Sequence, residues 1–256
     1  MRVGLFATCL ADTFFPEAAR ATALLLARLG HEVVFPPEQT CCGQMHVNTG
    51  YQHTALPLVR EFAGLFRDPA VDAVVLPSAS CTGCVRHQHA QVAARYGDPR
   101  LAAAVEKVGA KTYELSELLV DVLGTTDVGA WFPHRVAYHP TCHSLRMLRS
   151  ADRSLALLRS VEGIELLRPP REDSCCGFGG TFSLKNAATS TAMLQDALHR
   201  IASTGAEVCT AADSSCLMHI GGGFSRLRSG PRTLHLAQIL AATRDAPHSL
   251  TEEAAR

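Results

Sequence analysis

The stretch "HEVVFPPEQTCCG", residues 31–43, returns as "IELLRPPREDSCCG", residues 164–177. In both, a short aliphatic run is halted by a proline pair, since proline has no N–H to give a sheet and fixes its own φ. A cysteine doublet then follows with glycine directly behind it. Working outward, "RVGLFATCLAD" (2–12) matches "RVAYHPTCHSL" (135–145), each a strand pattern running into one cysteine, Cys9 or Cys142. Two leucine-rich helical patterns come next, "ARATALLLARLG" (19–30) and "ADRSLALLRSVEG" (151–163). Downstream, "VDAVVLPSASCTGC" (71–84) pairs with "AEVCTAADSSC" (206–216). The separations are 133 residues for the single cysteine, 134 for the doublet and 132 for Cys84 against Cys216. Offsets this steady mark an internal duplication.

Each half alternates strand and helix. In the first, strands are expected near 2–7, 31–35, 72–76 and 111–113, and helices near 16–29, 52–67, 85–96 and 115–123. Such alternation predicts an α/β fold: two pseudo-symmetric repeats, each a mostly parallel sheet flanked by helices. The seam falls in "LGTTDVGAWFP", 123–133, where turn formers interrupt the helical pattern. The expected organisation is therefore a first cysteine-rich domain over 1–128, a second over 129–244, and a flexible tail over 245–256, "DAPHSLTEEAAR", which lacks apolar periodicity.

The 256 residues carry 24 basic and 24 acidic side chains, so the formal net charge is zero, and 47% are hydrophobic. With no basic stripe, nothing recruits a phosphate backbone, and nucleic acid is not an expected partner. The amino-terminal "MRVGLFATCLAD" lacks the features of a secretory signal, and the longest helical apolar stretch is interrupted by arginine and too short to span a bilayer. A soluble cytoplasmic protein without a transmembrane segment is expected. Its ten cysteines would then be reduced thiols, available for redox or metal chemistry.

Every cysteine cluster follows an expected strand. In a parallel sheet those segments meet at the carboxyl edge, where open α/β sheets bind ligands. The doublet narrows the chemistry. Neighbouring Cα atoms lie ~3.8 Å apart, below the usual disulfide span of ~4.4 Å or more, so a Cys41–Cys42 bridge is strained. Structural zinc takes four ligands at short spacings, whereas the first half offers five thiols. Adjacent thiolates can each bind a different metal atom of an iron–sulfur cluster. Gly43 and Gly177 permit the tight turn and close backbone approach such a site needs. Taken alone, Cys81 and Cys84 also have the C-x-x-C form of a redox dithiol.

The pattern C-x31-CCG-x37-C-x2-C from Cys9 to Cys84 resembles the cysteine-rich "CCG" domain found in the cysteine-rich component of heterodisulfide reductase and in the iron–sulfur subunits of glycolate and glycerol-3-phosphate oxidoreductases. With "FATCLAD", "YHPTCHS", "CCGFGGTFS" and "DSSCLMHIGGG" in two copies, the chain is most similar to the lactate-utilisation protein A family, over about residues 3–240. The resemblance implies a cytoplasmic component of a three-part system oxidising L-lactate to pyruvate, partnered by its other subunits. It also implies an oxidoreductase component rather than a self-sufficient enzyme. In the heterodisulfide reductase relatives a complete motif holds a non-cubane [4Fe-4S] cluster on five cysteines. Here these are Cys9, Cys41, Cys42, Cys81 and Cys84, as ligands of that cluster or of an ordinary [4Fe-4S] cube. The second half departs from the motif. It offers Cys142, Cys175, Cys176 and Cys216, and Asp213 stands where Cys81 is expected to align. Four thiolates suit an ordinary [4Fe-4S] cluster or zinc. The rival readings are a thiol–disulfide reductase and a zinc-stabilised scaffold without activity.

Around the second site, His139 and His143 flank Cys142. With Gly43, Gly177 and Asp213 they are candidates to support the sulfur ligands from behind. Cys209 aligns with Pro77 and reads as a packed thiol. Gly221–Gly223 reads as a helix terminator, "GFGG" (177–180) as a cluster loop, and Arg146, Arg149 and Arg153 as one solvated helical face.

Overall fold

The computed structural model describes residues 1–248. Its first half contains strands β1 (Arg2–Leu5), β2 (Glu32–Val34), β3 (Ala73–Leu76) and β4 (Thr112–Glu114). Its second contains β5 (Arg135–Tyr138), β6 (Glu165–Leu167), β7 (Val208–Ala211) and β8 (Arg232–His235). Each set forms a four-stranded sheet, ordered β2-β1-β3-β4 and β6-β5-β7-β8, and every pairing is parallel. From β1 the chain moves outward to β2 and then crosses back to β3. The connections leaving β1 and β3 therefore diverge, which opens a crevice at the carboxyl edge.

In the first half the helices are α1 (Cys9–Phe14), α2 (Pro16–Arg28), α3 (Gln44–Asn48), α4 (Gln52–Leu65), α5 (Ala79–Gly83), α6 (His89–Tyr96), α7 (Pro99–Ala110) and α8 (Leu115–Glu117). Those of the second are α9 (Ala151–Arg159), α10 (Phe182–Lys185), α11 (Ala187–Ala202), α12 (Ser214–Leu227) and α13 (Leu236–Ala241). Short π-helical turns cover Cys84–Gln88, Leu118–Val122 and His143–Leu148. Helix α2 starts with Pro16 in its first turn and buries Ala18, Ala21, Thr22, Leu25 and Leu26, the one-face spacing of an amphipathic helix. Helix α7 is absent from the sequence-based expectation. Its signal is "DP": the Asp98 carboxylate accepts the Leu101 N–H at 2.9 Å and Pro99 opens the first turn.

The halves exchange their last helices. Helix α13 packs on α2, and α8 packs on α9. Arg28, at the end of α2, donates to the carbonyls of Leu240 and Ala241 at the carboxyl end of α13 and to that of Val128, at 2.6, 2.7 and 3.0 Å. One hydrophobic core runs through both halves, from Val3, Leu25 and Leu26 to Leu157, Val136 and Leu236. Fully burying each such leucine is worth about 1.5–3 kcal/mol.

Two readings of the sequence are corrected here. Gly221–Gly223 terminate nothing, because α12 runs through them to Leu227. A Cβ on Gly221 would lie 2.7 Å from Thr233 Oγ1, and one on Gly223 would lie 2.7 Å from Leu198, so these glycines let α12 lie close against β8 and α11. Nor do the three arginines share a face. The π-turn ends at Leu148, Arg149 adopts a left-handed conformation, and Arg153 lies on the separate helix α9. Of the expected tail, residues 249–256 lie outside the described residues, while the His248 ring packs on Phe132. Among the described residues no helix is long and apolar enough to cross a membrane.

Candidate metal centres

Cysteine-bearing segments follow three adjacent strands in each sheet, and this draws residues far apart in sequence together. Cys9 opens α1 after β1. The doublet Cys41–Cys42 ends the loop after β2, and Cys81 and Cys84 lie in the helical rod that follows β3. They occupy helical turns rather than a loop, because the Ser78 hydroxyl caps α5 by accepting the Cys81 N–H at 3.2 Å. Gln39 fastens the doublet's loop to β1: its side-chain carbonyl accepts the Ala7 N–H at 2.6 Å, and its amide donates to Leu5 and Pro36. Thr8 holds φ at +72°, a conformation costing about 1–3 kcal/mol, immediately before Cys9.

All five thiols of the first half form one group. Cys9 Sγ lies 3.6 Å from Cys41 Sγ, the Cys84 thiol donates to the Cys42 carbonyl at 3.6 Å, and the Cys42 thiol is electrostatically tied to Cys41, Cys81 and Cys84. Gly43, left-handed at φ +83°, turns its N–H onto Cys41 Sγ at 3.4 Å. The second half repeats the device. Cys142 Sγ is 3.8 Å from Cys175 Sγ, Cys176 Sγ is 3.3 Å from Cys216 Sγ, and the Gly177 N–H reaches Cys175 Sγ at 3.3 Å with φ at +90°. All ten cysteines are free thiols. Cys209 lies apart from both groups, fully buried on β7, where burial pushes its thiol up to about 12.

The electrostatics follow from this crowding. Hydrogen bonds from Cys42 and Cys9 hold Cys41 down to about 2, and those from Cys142 and Cys176 do the same for Cys175. Their neighbours Cys9, Cys42, Cys142 and Cys176 are pushed well up, first by donating those hydrogen bonds and then by burial. In the first group Cys84 is lowered too, to about 6, first by its hydrogen bond with Cys42 and then by His89, whereas in the second group the lowered thiol is Cys175. Without a counter-charge these thiolates suppress ionisation of the sulfurs around them. A polynuclear cation is the chemistry that lets every sulfur in such a group ionise together. The donor sets thus fit a metal–sulfur centre: five sulfurs in the first half exceed what one tetrahedral zinc ion takes.

The structural superposition of the halves differs from the sequence alignment. Val3 pairs with Ala73 and Val136 with Val208, so β3 and β7 correspond with an offset of 135 residues. The helix caps agree, with Ser78 before α5 and Asp213 before α12. Cys216 therefore corresponds to Cys81, not Cys84, and Asp213 corresponds to Ser78. The position of Cys84 is held by His219, and Cys209 corresponds to Val74 rather than Pro77. The offset grows from 133 to 134 to 135 as loops in the second half lengthen by a residue.

The pseudo-twofold axis passes between Ser78 and Asp213, equivalent residues joined in an antiparallel bridge. Across it the halves contribute to each other's surroundings. Asp213, expected beside the second group, sits against the first: its Oδ2 accepts the Ser80 N–H at 2.9 Å, and it lines a cavity of about 30 Å³ with Cys9, Cys41, Cys42 and Cys81. His143 likewise turns to the first half, with Nε2 3.2 Å from Gln44 Nε2. His139 alone stays with the second group, buried, its ring nitrogen and the sulfurs of Cys176 and Cys216 all within 4.8 Å of one another.

Comparisons with known proteins agree with this geometry. A family model described as a cysteine-rich domain, CCG, matches twice, over residues 3–86 and 136–221. Lactate utilization protein A of Geobacillus kaustophilus is 42% identical over 94% of this chain and 99% of its own, and that of Bacillus subtilis is 40% identical over 94% and 99%. A hypothetical protein from Helicobacter pylori has the same fold, with a TM-score of 0.64 at 12% identity. The match covers 98% of this chain and 50% of that one.

Proposed function

We propose, from the premise that the chain belongs to the CCG cysteine-rich family and stands among the lactate utilization protein A sequences, that it is a cytoplasmic iron–sulfur electron-transfer component of a multi-component L-lactate-oxidising system. The observation that carries this reading is the gathering of nine thiols into two pseudo-equivalent groups at the carboxyl edges of the two sheets. Cys9, Cys41, Cys42, Cys81 and Cys84 would hold one centre, and Cys142, Cys175, Cys176 and Cys216 the core of the other. What an iron–sulfur cluster supplies when bound is a one-electron acceptor and donor.

The chain's own residues set the conditions. The amides of Gly43 and Gly177 donate to Cys41 and Cys175 sulfur, which withdraws charge from a thiolate and favours the reduced state of a bound metal. Nε2 of His89 lies 2.8 Å from the Cys42 carbonyl, which can only accept, so that nitrogen carries the proton and fixes the doublet's backbone. Burial of Cys42, Cys81, Cys84, Cys176 and Cys216 keeps water from the inner sulfurs, whereas Cys9, Cys41, Cys142 and Cys175 remain half-exposed, on the side from which a partner would exchange electrons. The same burial argues against a bare Cys81/Cys84 dithiol reductase, since an attacking thiolate must reach its substrate.

Anaerobic purification with iron and acid-labile sulfide counted per chain tests the proposal. Both should be present, Cys42→Ser should remove the first centre's paramagnetic signal, and Cys209→Ala should leave metal content unchanged. Zinc alone, without sulfide, would overturn it in favour of a scaffold.

A further inference from the structure

The second thiol group is one sulfur short of the first, and two histidines stand where the first half has other residues. His139 occupies the position of Phe6. Its backbone N–H donates to Thr210 at 2.8 Å just as that of Phe6 donates to Val75 at 3.0 Å, in the same register one residue beyond β5 and β1. His219 occupies the position of Cys84. These two changes are the chemical difference between the two groups.

The surroundings decide between the histidines. Phe6 fills its site as hydrocarbon, edge-on to Phe62 at 5.0 Å. The imidazole of His139 is equally buried, 4% exposed, beside the sulfurs of Cys176 and Cys216, which themselves pack in a cluster with Ala137, Leu198, Cys209 and Ile220; the buried Arg200 is its charged neighbour. A buried imidazole is costly unless its nitrogens have partners, and the ligating atoms gathered with it are those two sulfurs. His219, by contrast, is half-exposed and already has a hydrogen-bond partner. Its Nε2 lies 3.3 Å from Ser190 Oγ, a hydroxyl that donates to the Gly177 carbonyl, and its ring packs on Phe178.

Given that the second group holds a metal, as the proposed function requires, we infer that His139 supplies the fifth ligand there through a ring nitrogen, so that the centre is bound by four thiolates and one imidazole. The first centre is then all-sulfur and the second mixed. Exchanging a thiolate for a neutral imidazole makes the ligand set less negative, which raises the reduction potential, as in clusters where histidine replaces cysteine. The duplication has thereby produced two inequivalent centres, with electrons favoured on the second.

The test uses the full chain, purified anaerobically, with the first centre disabled by Cys42→Ser. X-ray absorption at the iron edge reads imidazole directly from its outer-shell scattering. The inference expects one imidazole in this chain. It expects the signal to vanish and bound metal to fall by more than about half when His139→Phe installs the first half's residue, and both to survive His219→Phe. His139→Phe in the otherwise unaltered chain should keep its first-centre metal, which establishes that the variant folds; His139→Gln is the second variant should it not. A sulfur-only spectrum, or imidazole scattering that persists in His139→Phe, overturns the inference and leaves the two-centre reading standing. A Cys42→Ser chain that binds no metal overturns both.

Discussion

Gly43 and Gly177 perform the same task in steric surroundings that differ enough to be measured. Each adopts a left-handed backbone, at φ +83° and +90°, and each turns its amide onto the first sulfur of a doublet. Alanine in that conformation carries about 1–2 kcal/mol of strain, offset by about 0.4–1 kcal/mol because the unfolded chain loses freedom. At Gly43 little more is added, since a new Cβ would lie 3.5 Å from Ala55 Cβ and 3.7 Å from Leu58 Cβ, ordinary contact distances. At Gly177 the same atom would lie 2.7 Å from the Ser190 carbonyl and 2.9 Å from Met193 Cβ, both fixed in α11. Relieving that overlap adds about 1–3 kcal/mol. Gly177→Ala should therefore melt below Gly43→Ala by about 2–12 °C in metal-free protein, using about 2–4 °C per kcal/mol for a chain of this length. Calorimetry of chelator-treated variants reads the difference. In metal-loaded protein, each variant should weaken retention at its own centre only. Equal melting temperatures would refute the argument that α11 presses on the second doublet where α4 leaves the first free.

Two further outcomes follow from polar side chains outside the thiol groups. Glu114, at the end of β4 and fully buried, has its carboxyl raised to about 8 by desolvation; between the ordinary value of 4.5 and 8 the unfolded chain releases a proton that the folded chain keeps, so stability falls across that window as pH rises. Glu114→Gln should gain on the unaltered chain by a few kcal/mol between pH 4.5 and 9, and melting curves that stay parallel over that range would contradict this. Removing the guanidinium of Arg28 as Arg28→Met should cost about 1–2 kcal/mol, because three carbonyls lose a charged donor that solvent replaces only in part. Limited proteolysis should then cut first near α13, and an unchanged cleavage pattern would show that the exchanged helix is held by its apolar face alone.

The duplication, the parallel strands and the convergence of the cysteines are legible in the sequence because each rests on a local rule. Proline pairs end strands, doublets need glycine, and parallel strands gather their exits on one edge. The third correspondence misleads for an equally local reason. The second half has one cysteine where the first has two, and matching it to Cys84 preserves an offset near 133. The helix cap is the better guide: Ser78 and Asp213 each stand three residues before a cysteine, and serine and aspartate are interchangeable N-caps. Aligning caps instead of cysteines places Cys216 on Cys81 and exposes His219 as the substituted residue. His139 is visible in the same way, opposite Phe6 in "LFATC" against "YHPTC". Gly221–Gly223 mislead because their reason lies outside the helix, in the side chains of Thr233 and Leu198.

What no single segment could reveal is that the halves complete each other. The bridge between Ser78 and Asp213 lies on the pseudo-twofold axis, so any residue near it belongs to both halves at once. At equivalent places there the chain keeps different side chains: a hydroxyl at 78 and a carboxylate at 213. The carboxylate reaches across to accept the Ser80 N–H, one residue before Cys81, and the Ser78 hydroxyl, which also caps its own helix. The bias runs one way in position 143 too, since His143 crosses to Gln44 beside the first doublet whereas its counterpart, Leu10, offers no polar group in return. A perfect repeat would have placed two identical thiol groups in identical surroundings. Substitutions close to the axis give the first group polar support from both halves, and those at 139 and 219 alter the donors of the second. The symmetry brings the thiols together; the departures from it make the two groups inequivalent.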